Sequence, residues 1–189
     1  MTQRVELAAV MDRLAIDALI TEYAVTVDDG DWDAYRRLFA PGGNADYRSA
    51  GGIEGGAEEI SAWLAETMRM FPMRQHLITN RRLEFGTLEQ DTGDTARVQA
   101  DYVNPMRFAE RPGAATAPTS ASASASASAS ASASASGEPS TAPDFVCGGR
   151  YAFTVLRTHT GWRLRRVVVT EKWRRLAGEQ RRREPASGA

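Results

Sequence analysis

The sequence has little cysteine, little histidine and no long apolar segment. Its single cysteine, Cys147, excludes an internal disulfide and a CxxC pair. Only two histidines are present, His76 and His159, which argues against a histidine-based metal site. No run of 18 apolar residues and no signal-peptide pattern occurs, so no transmembrane helix is expected. We therefore predict a cytoplasmic protein without metal or other cofactor and without a membrane partner.

Charge is balanced overall but unevenly distributed. The formal net charge is −1, with twelve acids and five arginines in residues 1–60 and eleven basic residues against two acids in residues 150–183. A basic C-terminal region is found in some nucleic-acid-binding proteins. No recognised nucleic-acid motif accompanies it here, and Walker, GxGxxG and GxSxG motifs are also absent. We interpret the basic residues as a solvated strand face and expect no nucleic-acid partner.

The first part of the chain has helical periodicity. Apolar residues at intervals of three and four predict an amphipathic helix that runs from about Leu7 to Gly30. Asp31 is expected to cap a second, short helix, which ends before Pro41. A third helix is predicted from about Ala57 to Phe71. The short segment NADYRS, between the second and third helices, is a possible strand.

After Pro72 the period changes to two residues, which is typical of strands. Four strands are predicted, over Gln75–Phe85, Thr95–Phe108, Phe145–His159 and Trp162–Trp173. Three helices followed by four longer strands predict an α+β fold. In it the helices pack on one face of a strongly curved, mostly antiparallel sheet. One domain is expected over residues 1–178.

One internal segment does not fit this plan. Residues 120–136 alternate strictly between serine and alanine, within a Pro-, Ala- and Thr-rich stretch over 109–144. Such small side chains offer nothing to bury, so the stretch is predicted to be a disordered loop between two strands. A loop of this length adds only roughly 2 kcal/mol of closure entropy. Residues 179–189 are predicted to be a flexible tail.

His76 is the candidate acid or base. Strand periodicity places His76, Ile78 and Asn80 on one mixed face, as in a cavity wall, although a histidine hydrogen-bonded at a sheet margin gives the same pattern. Asp28 ends the first helix, where a carboxylate is mildly unfavourable. An inward Asp28 would accept a hydrogen bond from His76, fix its tautomer and raise its pKa. The commoner alternative is that water solvates Asp28 at an exposed turn.

Two tyrosines are candidate hydrogen-bond donors. Tyr23 belongs to the apolar stripe of the first helix, so a core tyrosine is its default interpretation, and periodicity does not place Tyr47. Buried tyrosine hydroxyls need partners, and two in one pocket could bind a substrate carbonyl. An ideal helix separates Tyr23 from Asp28 by about 140°. Their convergence would therefore require the helix to unwind near Asp28.

Four segments resemble a known superfamily. They read IDALITEYAVTVDDGDWDAYRRLF, GIEGGAEEISAWL, RQHLITN and GRYAFTVLRTHTGWRLRRVVVTEKW, and they are similar to the SnoaL-like branch of the nuclear transport factor 2-like superfamily. The resemblance implies a cone-shaped α+β fold whose bent sheet and helices enclose an apolar pocket. It also implies a homodimer formed through the sheet. The fold hosts many activities, so the function implied is less specific than the fold.

The resemblance extends to cofactor-independent dehydratases such as scytalone dehydratase and bile-acid 7α-dehydratase. It implies that His76 is the acid/base, that Asp28 orients it, and that Tyr23 and Tyr47 donate hydrogen bonds to a substrate oxygen. The implied substrate contacts are Ile78, Asn80, Tyr102 and Asn104. Scytalone dehydratase has a second histidine on the following strand, where this chain has residues 101–104, so scytalone itself is not the expected substrate.

Three functions follow as hypotheses. The first is a lyase or isomerase acting on a small, apolar hydroxy-carbonyl compound, polyketide- or steroid-like. The second is a non-catalytic pocket protein or dimeric scaffold, in which Asp28 and His76 are apart or the pocket is filled. The third is a small structural subunit of an aromatic-ring dioxygenase. A distance of roughly 2.6–3.2 Å between the Asp28 carboxylate and the His76 ring would favour the enzyme.

Overall fold

The structure, a computed structural model, describes residues 2–109 and 142–177, with the backbone alone for residues 2–5. Most of the predicted insert over 109–144 and the predicted tail over 179–189 lie outside the described residues. No helix in the described ranges has both the length and the apolar character needed to cross a membrane.

Three α-helices occur in the described residues. They are α1 (Thr2–Asp29), α2 (Trp32–Arg37) and α3 (Ala57–Met68), and a 3-10 turn spans Arg48–Ala50. Helix α1 ends as predicted at Gly30, whose φ of 72° lies in the left-handed region that glycine adopts without strain. The Asp31 side chain accepts a hydrogen bond from the Ala34 backbone N–H at 2.8 Å, which confirms it as the cap of α2.

The described strands form one sheet. They are β1 (Phe39–Asp46), β2 (Glu54–Gly56), β3 (Met73–Arg74), β4 (Leu77–Phe85), β5 (Thr95–Arg107), β6 (Phe145–Thr158) and β7 (Gly161–Leu176). The order is β2-β1-β7-β6-β5-β3, and β4 also pairs with β5. Only the β1–β7 pairing is parallel. The predicted α+β class is confirmed, but the helices do not all come first, because β1 and β2 lie between α2 and α3.

The sheet is strongly curved, and its concave face carries the core. Bulges between Gly148 and Gly149 and between Thr154 and Val155 bend the long β6–β7 pair. Alternate residues of β5 are buried under the helices, as the period of two predicts. These residues are Ala96, Val98, Ala100, Tyr102, Asn104 and Met106.

The apolar stripe of α1 has two different environments. Its second half, from Ile16 to Val27, is buried against the sheet. Its first half stands in solvent, where Leu7 is 62% exposed and Leu14 is 58% exposed. The sequence pattern is continuous across both halves, because periodicity reports an apolar face and not what covers it.

A bulge in β4 overturns the predicted face of that strand. Asn80 has a φ of 50°, and the register with β5 shifts between Thr79 and Arg82. The alternation therefore reverses, and Arg81 points inward to the α1 residues Asp17 and Thr21. Strand alternation from His76 and Ile78 would extend the predicted mixed face to Asn80, and this is wrong beyond residue 79.

An ionic cluster joins the first half of α1 to the ends of the strands. We define this acid–arginine cluster as Asp12, Asp94, Arg157 and Trp162. The Arg157 guanidinium lies 2.5 Å from Asp12 and 3.1 Å from Asp94, and the Trp162 indole N–H donates to Asp12 at 3.0 Å. The guanidinium also stacks on the Trp162 ring, 4.7 Å from its centroid. These contacts satisfy both buried carboxylates.

The Asp94 carboxylate also accepts hydrogen bonds from the backbone of the turn before it. Backbone N–H groups of Glu89, Gln90 and Asp91 donate to it at 2.7, 2.9 and 3.2 Å. Burial acts to raise the pKa of Asp94, but these donors and Arg157 together hold it below its usual range.

Candidate active site

His76 lies in a break between two short pairings at the edge of the sheet. β3 and β4 both pair with β5, and the intervening residues Gln75 and His76 are outside either strand. The predicted continuous strand is therefore wrong at this point. The His76 backbone N–H donates to the Asp28 carboxylate instead of to a neighbouring strand, at 2.9 Å to Oδ2 and 3.1 Å to Oδ1.

The His76 ring contacts the same carboxylate. Its Nδ1 lies 2.6 Å from Asp28 Oδ1, and the side chains of His76 and Asp28 are 7% and 22% exposed. A carboxylate beside Nδ1 favours the tautomer in which Nδ1 carries the proton and donates it. Nε2 then has a free lone pair. The three hydrogen bonds also compensate Asp28 for its place at the negative end of α1.

Arg74 fixes the end of α1 against this break. Its Nε donates to the Val27 carbonyl at 2.9 Å, and its Nη1 donates to the Phe71 carbonyl at 3.0 Å. A cation here satisfies a free carbonyl of the last helical turn and complements the helix dipole. Sequence reasoning missed Arg74, although a helix that ends in two acids calls for a nearby cation.

The His76 side chain forms part of the wall of a cavity of about 460 Å³. This size falls within the range of small-molecule sites. Most of the wall is apolar and comes from α3, the strands and the residues after α3. Apolar lining residues include Val27, Trp63, Leu64, Met68, Phe71, Met106, Phe108, Phe145 and Val169.

Three tyrosine hydroxyls form a chain at one side of the cavity. The Tyr23 and Tyr47 hydroxyls are in direct hydrogen-bond contact, and both residues line the cavity. Behind them the Tyr35 hydroxyl lies 3.3 Å from that of Tyr47, in a side chain with no exposed surface. Burial, followed by the neighbouring hydroxyls, raises the pKa of Tyr23 and Tyr47 well above its usual value. All three hydroxyls are therefore protonated near neutral pH.

Burial raises the pKa of Tyr35, and hydrogen bonding to Tyr47 and to Tyr23 lowers it, so the Tyr35 proton has two possible acceptors. Tyr23 and Tyr47 line the cavity, and either hydroxyl can donate to a ligand there. Sequence reasoning missed Tyr35, because nothing in the short helix DWDAYRR marks its hydroxyl as part of a site.

The sheet side of the wall carries Tyr102, Asn104, Cys147 and Tyr151. Burial raises the pKa of Tyr151, while a hydrogen bond from the Asn104 side chain lowers it. Burial, followed by Glu171, raises the pKa of the Cys147 thiol to about 12, so it is not a thiolate nucleophile near neutral pH. Sequence reasoning missed Tyr151, which the alternation of β6 could have placed on the inner face.

The structure brings most of the predicted site residues together. Tyr23, Tyr47, His76, Tyr102 and Asn104 all line the cavity, and Asp28 lies behind His76. Helix α1 stays helical through residue 29. The unwinding that direct convergence of Tyr23 and Asp28 would require does not occur, and the carboxylate reaches the cavity only through the histidine.

Two predicted substrate contacts lie outside the cavity. Ile78 packs against the edge of the core, and Asn80 is exposed on the outer face of the sheet, 3.3 Å from Asp101. The break before β4 separates Ile78 from His76, and Asn80 lies in the bulge within β4. The expectation that they contact a ligand in this cavity is corrected.

No group of three or more His, Cys, Asp or Glu side chains in the described residues is placed to hold a metal, and the predicted absence of a cofactor stays a prediction.

Comparison with known proteins gives a family and a fold. A family model described as a SnoaL-like domain matches residues 8–168. An uncharacterized protein of Mycobacterium tuberculosis (strain ATCC 25618 / H37Rv) is 28% identical over 169 residues, which cover 89% of this chain and 91% of the relative.

Two solved structures are similar over nearly their whole length. A "Putative Scytalone Dehydratase" from Novosphingobium aromaticivorans DSM 12444 is 16% identical with a TM-score of 0.64, covering 97% of this chain and 100% of that one. The hexachlorocyclohexane dehydrochlorinase LinA-type3 from Novosphingobium barchaimii LL02 is 14% identical with a TM-score of 0.63, covering 93% and 96%. At these identities the likeness establishes the fold.

Proposed function

We propose that this chain, which belongs to the SnoaL-like domain family, is a cofactor-independent lyase of the dehydratase type or an isomerase. Its substrate would be a small, largely apolar hydroxy-carbonyl compound, polyketide- or steroid-like. The observation that carries the proposal is the 2.6 Å contact of Asp28 with His76 on the wall of an apolar cavity. Structures of the same fold named as a dehydratase and a dehydrochlorinase support the reaction class.

The proposed chemistry begins with proton transfer to His76. Nε2 takes a proton from the carbon beside the substrate carbonyl, while Asp28 stabilises the imidazolium through Nδ1. The C–H electron pair moves into the enolate, whose oxygen accepts a hydrogen bond from the Tyr23 or Tyr47 hydroxyl. In a dehydratase the C–O bond at the next carbon then breaks, and the imidazolium protonates the departing hydroxide to water. In an isomerase the proton returns to a different carbon.

The test is a panel of β-hydroxy ketones small enough for the cavity, assayed for enone formation by ultraviolet absorbance. Exchange of the proton beside the carbonyl is followed in parallel by NMR in D₂O. His76→Ala should abolish both signals and leave the fold intact, because the Asp28 carboxylate keeps the backbone N–H of residue 76. Undiminished turnover in His76→Ala would refute the proposed base.

Two matched controls are available in the chain. His159 is exposed in the β6–β7 turn, and Asp29 is exposed beside Asp28. His159→Ala and Asp29→Asn should retain turnover, whereas Asp28→Asn should lose most of it. Equal losses in Asp28→Asn and Asp29→Asn would show that helix-end charge, not the contact with His76, is responsible.

The non-catalytic alternatives have less support. A pure binding pocket or scaffold was expected to show Asp28 and His76 apart, or the pocket filled, and the geometry is the opposite. For a dioxygenase subunit the support is a structure of the same fold named as a "putative aromatic ring hydroxylase", and no contact in the described residues adds to it. A cytoplasmic location is part of the proposal, since the unpaired thiol of Cys147 suits a reducing compartment.

We also propose that two copies associate through the outer face of the sheet. Leu77 is opposite Val103, Val103 is opposite Gly148, and Gly148 is opposite Trp173, so an apolar row crosses four strands. Leu77, Val103 and Trp173 are 43%, 39% and 47% exposed. Trp173→Arg should convert a dimer to a monomer in light scattering. Leu14→Arg, on the exposed half of α1, is the control, and dissociation by that variant alone would place the interface on α1 instead.

A further inference from the structure

Glu171 and Arg174, near the end of β7, form an ion pair on the cavity wall that the proposed mechanism does not use. The Arg174 Nε donates to Glu171 Oε1 at 2.5 Å, and both residues line the cavity. Residues three apart on a regular strand face opposite sides of a sheet. Here the register with β6 skips Lys172, and this bulge brings Glu171 and Arg174 to the same face. The wall therefore carries a carboxylate that an arginine holds in place.

The Glu171 carboxylate has one oxygen left for a ligand. Arg174 occupies Oε1, and Oε2 has no hydrogen-bond partner in the described residues. In that part of the chain the one fully enclosed side-chain nitrogen or oxygen without a partner is Asn104 Oδ1, so Glu171 Oε2 has accessible surface. The Glu171 side chain as a whole is only 10% exposed. A half-paired carboxylate on a cavity wall favours a ligand group that donates a hydrogen bond to it.

Tyr102 lies opposite Glu171 across one strand. Gly149 of β6 is paired with Tyr102 of β5 on one side and with Glu171 of β7 on the other, and Gly149 puts no side chain between them. The backbones of Tyr102 and Glu171 are therefore two strand spacings apart, roughly 10 Å, which leaves room for a small polar group between the side chains. The Tyr102 hydroxyl also lacks a partner in the described residues and is not fully enclosed. An alcohol fits this pair, because it can donate to the carboxylate and accept from the tyrosine.

This pair lies across the cavity from His76. His76 is next to β4, which pairs with β5, and β6 separates β5 from β7. Two strands, β5 and β6, therefore lie between the segment of His76 and the strand of Glu171. A ligand that reaches both residues is elongated and has a polar group at each end.

We propose that Glu171 is a specificity-determining residue whose Oε2 accepts a hydrogen bond from a second hydroxyl of the substrate, remote from the reacting carbons. Tyr102 donates to the same hydroxyl. The cavity then selects an apolar compound with a ketone at one end and an alcohol at the other over ethers and alkyl analogues of the same shape. This inference rests on the proposed function for the ketone end, which accepts a hydrogen bond from Tyr23 or Tyr47.

The test measures binding without turnover, by calorimetry with three 1-tetralones that carry no β-hydroxyl and so cannot dehydrate. Their substituents at ring position 6 have the same size: hydroxymethyl donates and accepts, methoxy only accepts, and ethyl does neither. The wild-type protein should bind the hydroxymethyl compound about tenfold more tightly than the methoxy compound, because only the former donates to the Glu171 carboxylate. The methoxy compound should bind about threefold more tightly than the ethyl compound, since it accepts from Tyr102.

Glu171→Gln changes the chemistry of the wall and keeps its shape. Arg174 still holds the amide oxygen, so the amide N–H groups take the place of Oε2 and donate instead of accepting. The advantage of the hydroxymethyl compound over the methoxy compound should fall to within about twofold. Glu171→Ala serves as a second deletion if Glu171→Gln does not fold, as judged by circular dichroism, and should give the same result.

Two further variants separate Glu171 from its surroundings. Tyr102→Phe should remove the advantage of the methoxy compound over the ethyl compound and keep that of the hydroxymethyl compound over the methoxy compound. Glu66→Gln is the matched control, because Glu66 also pairs with an arginine three residues on, Arg69, but in solvent. It should keep both ratios.

The outcomes are distinct from those of the enzyme test. Loss of the hydroxyl preference in the Glu171 variants supports the inference, and it does so even where His76→Ala retains turnover and the proposed base fails. A wild-type protein that binds the hydroxymethyl and methoxy compounds equally overturns the inference, as does a failure to bind any of the three. A preference that survives in the Glu171 variants also overturns it, and its loss in His76→Ala instead would assign the acceptor to His76.

Discussion

Two aspartates of α1, Asp12 and Asp28, contact the sheet through partners of different chemistry. In its first half, Asp12 is buried against the sheet through Arg157, and at its end the half-buried Asp28 contacts the sheet edge through His76. In the acid–arginine cluster, each carboxylate is met by a cation and by N–H donors. Beside the cavity, the partner of Asp28 keeps a free nitrogen, and Glu171 keeps a free oxygen.

This difference separates the end of α1 that holds the fold from the end that the proposed function assigns to a ligand. A permanently charged arginine between two acids cannot take or release a proton near neutral pH, so the cluster can only stabilise. A histidine whose Nδ1 is held by one carboxylate keeps the lone pair of Nε2 for a ligand. Substitutions in the cluster should therefore change stability most, and substitutions at the cavity should change it less.

The largest expected effect is that of Arg157→Leu. It leaves the carboxylates of Asp12 and Asp94, which are 6% and 2% exposed, buried without their cation. Breaking a buried ionic group by removing one partner costs about 3–5 kcal/mol, so the free energy of unfolding from urea titration should fall by that amount. Arg69→Leu is the control, since Arg69 pairs with Glu66 in solvent and should lose at most about 1 kcal/mol. Similar losses in both variants would contradict the distinction.

Local patterns in the sequence predicted helix ends and the buried face of a strand. The glycine at the end of α1, the Asp31 cap and the alternation in β5 each depend on a few neighbouring residues, and each is found. The possible contact of Asp28 with His76 was inferred from an acid at a helix end that lacked a partner. The first three features were accessible because their cause lies within one turn or one strand, whereas the contact of Asp28 with His76 joins residues 48 positions apart and was one of two alternatives.

Other features depend on contacts that no local pattern records. The β4 bulge at Asn80 turns Arg81 inward to α1, and one extra residue is enough to reverse the faces of the strand. His76 leaves the strand because the Asp28 carboxylate, 48 residues away, takes its backbone N–H. The exposed first half of α1 and the buried Tyr35 hydroxyl have the same origin, since apolar spacing does not specify the neighbour.

A smaller effect is expected at the tyrosine chain. Tyr47→Phe removes a hydrogen-bond partner from both the Tyr23 and the Tyr35 hydroxyls, which are buried. A buried donor left unpaired costs about 1–3 kcal/mol, measured as the change in the free energy of unfolding. Tyr102→Phe is the matched control on the same cavity. The structure gives the Tyr102 hydroxyl no hydrogen-bond partner in the described residues, so its loss should be near zero. A larger loss in Tyr102→Phe would show that the chain of hydroxyls is not what stabilises this wall.

The smallest effect is expected in how the free energy of unfolding declines at low pH. This decline tests whether charge stabilises the acid–arginine cluster. The pKa of Asp94 is lower in the folded protein than the usual value near 3.9, so the unfolded chain binds its proton first. Its contribution to stability is therefore complete above about pH 4 and is lost as the pH falls through the folded pKa. Asp94→Asn should make the decline in unfolding free energy between about pH 5 and pH 2 shallower than in the wild-type protein.

Asp101 is the control for the effect of Asp94 on the pH dependence of stability. Its pKa is also lowered, first by the Arg150 guanidinium and then by the Asn80 amide, but it lies on the outer face of the sheet, where solvent screens the charges. Asp101→Asn should therefore flatten the acid decline less than Asp94→Asn. Equal flattening would mean that burial adds nothing to the cluster's pH dependence. In that case the stability of this end of α1 would come from the packing of Arg157 on Trp162 and not from its charges.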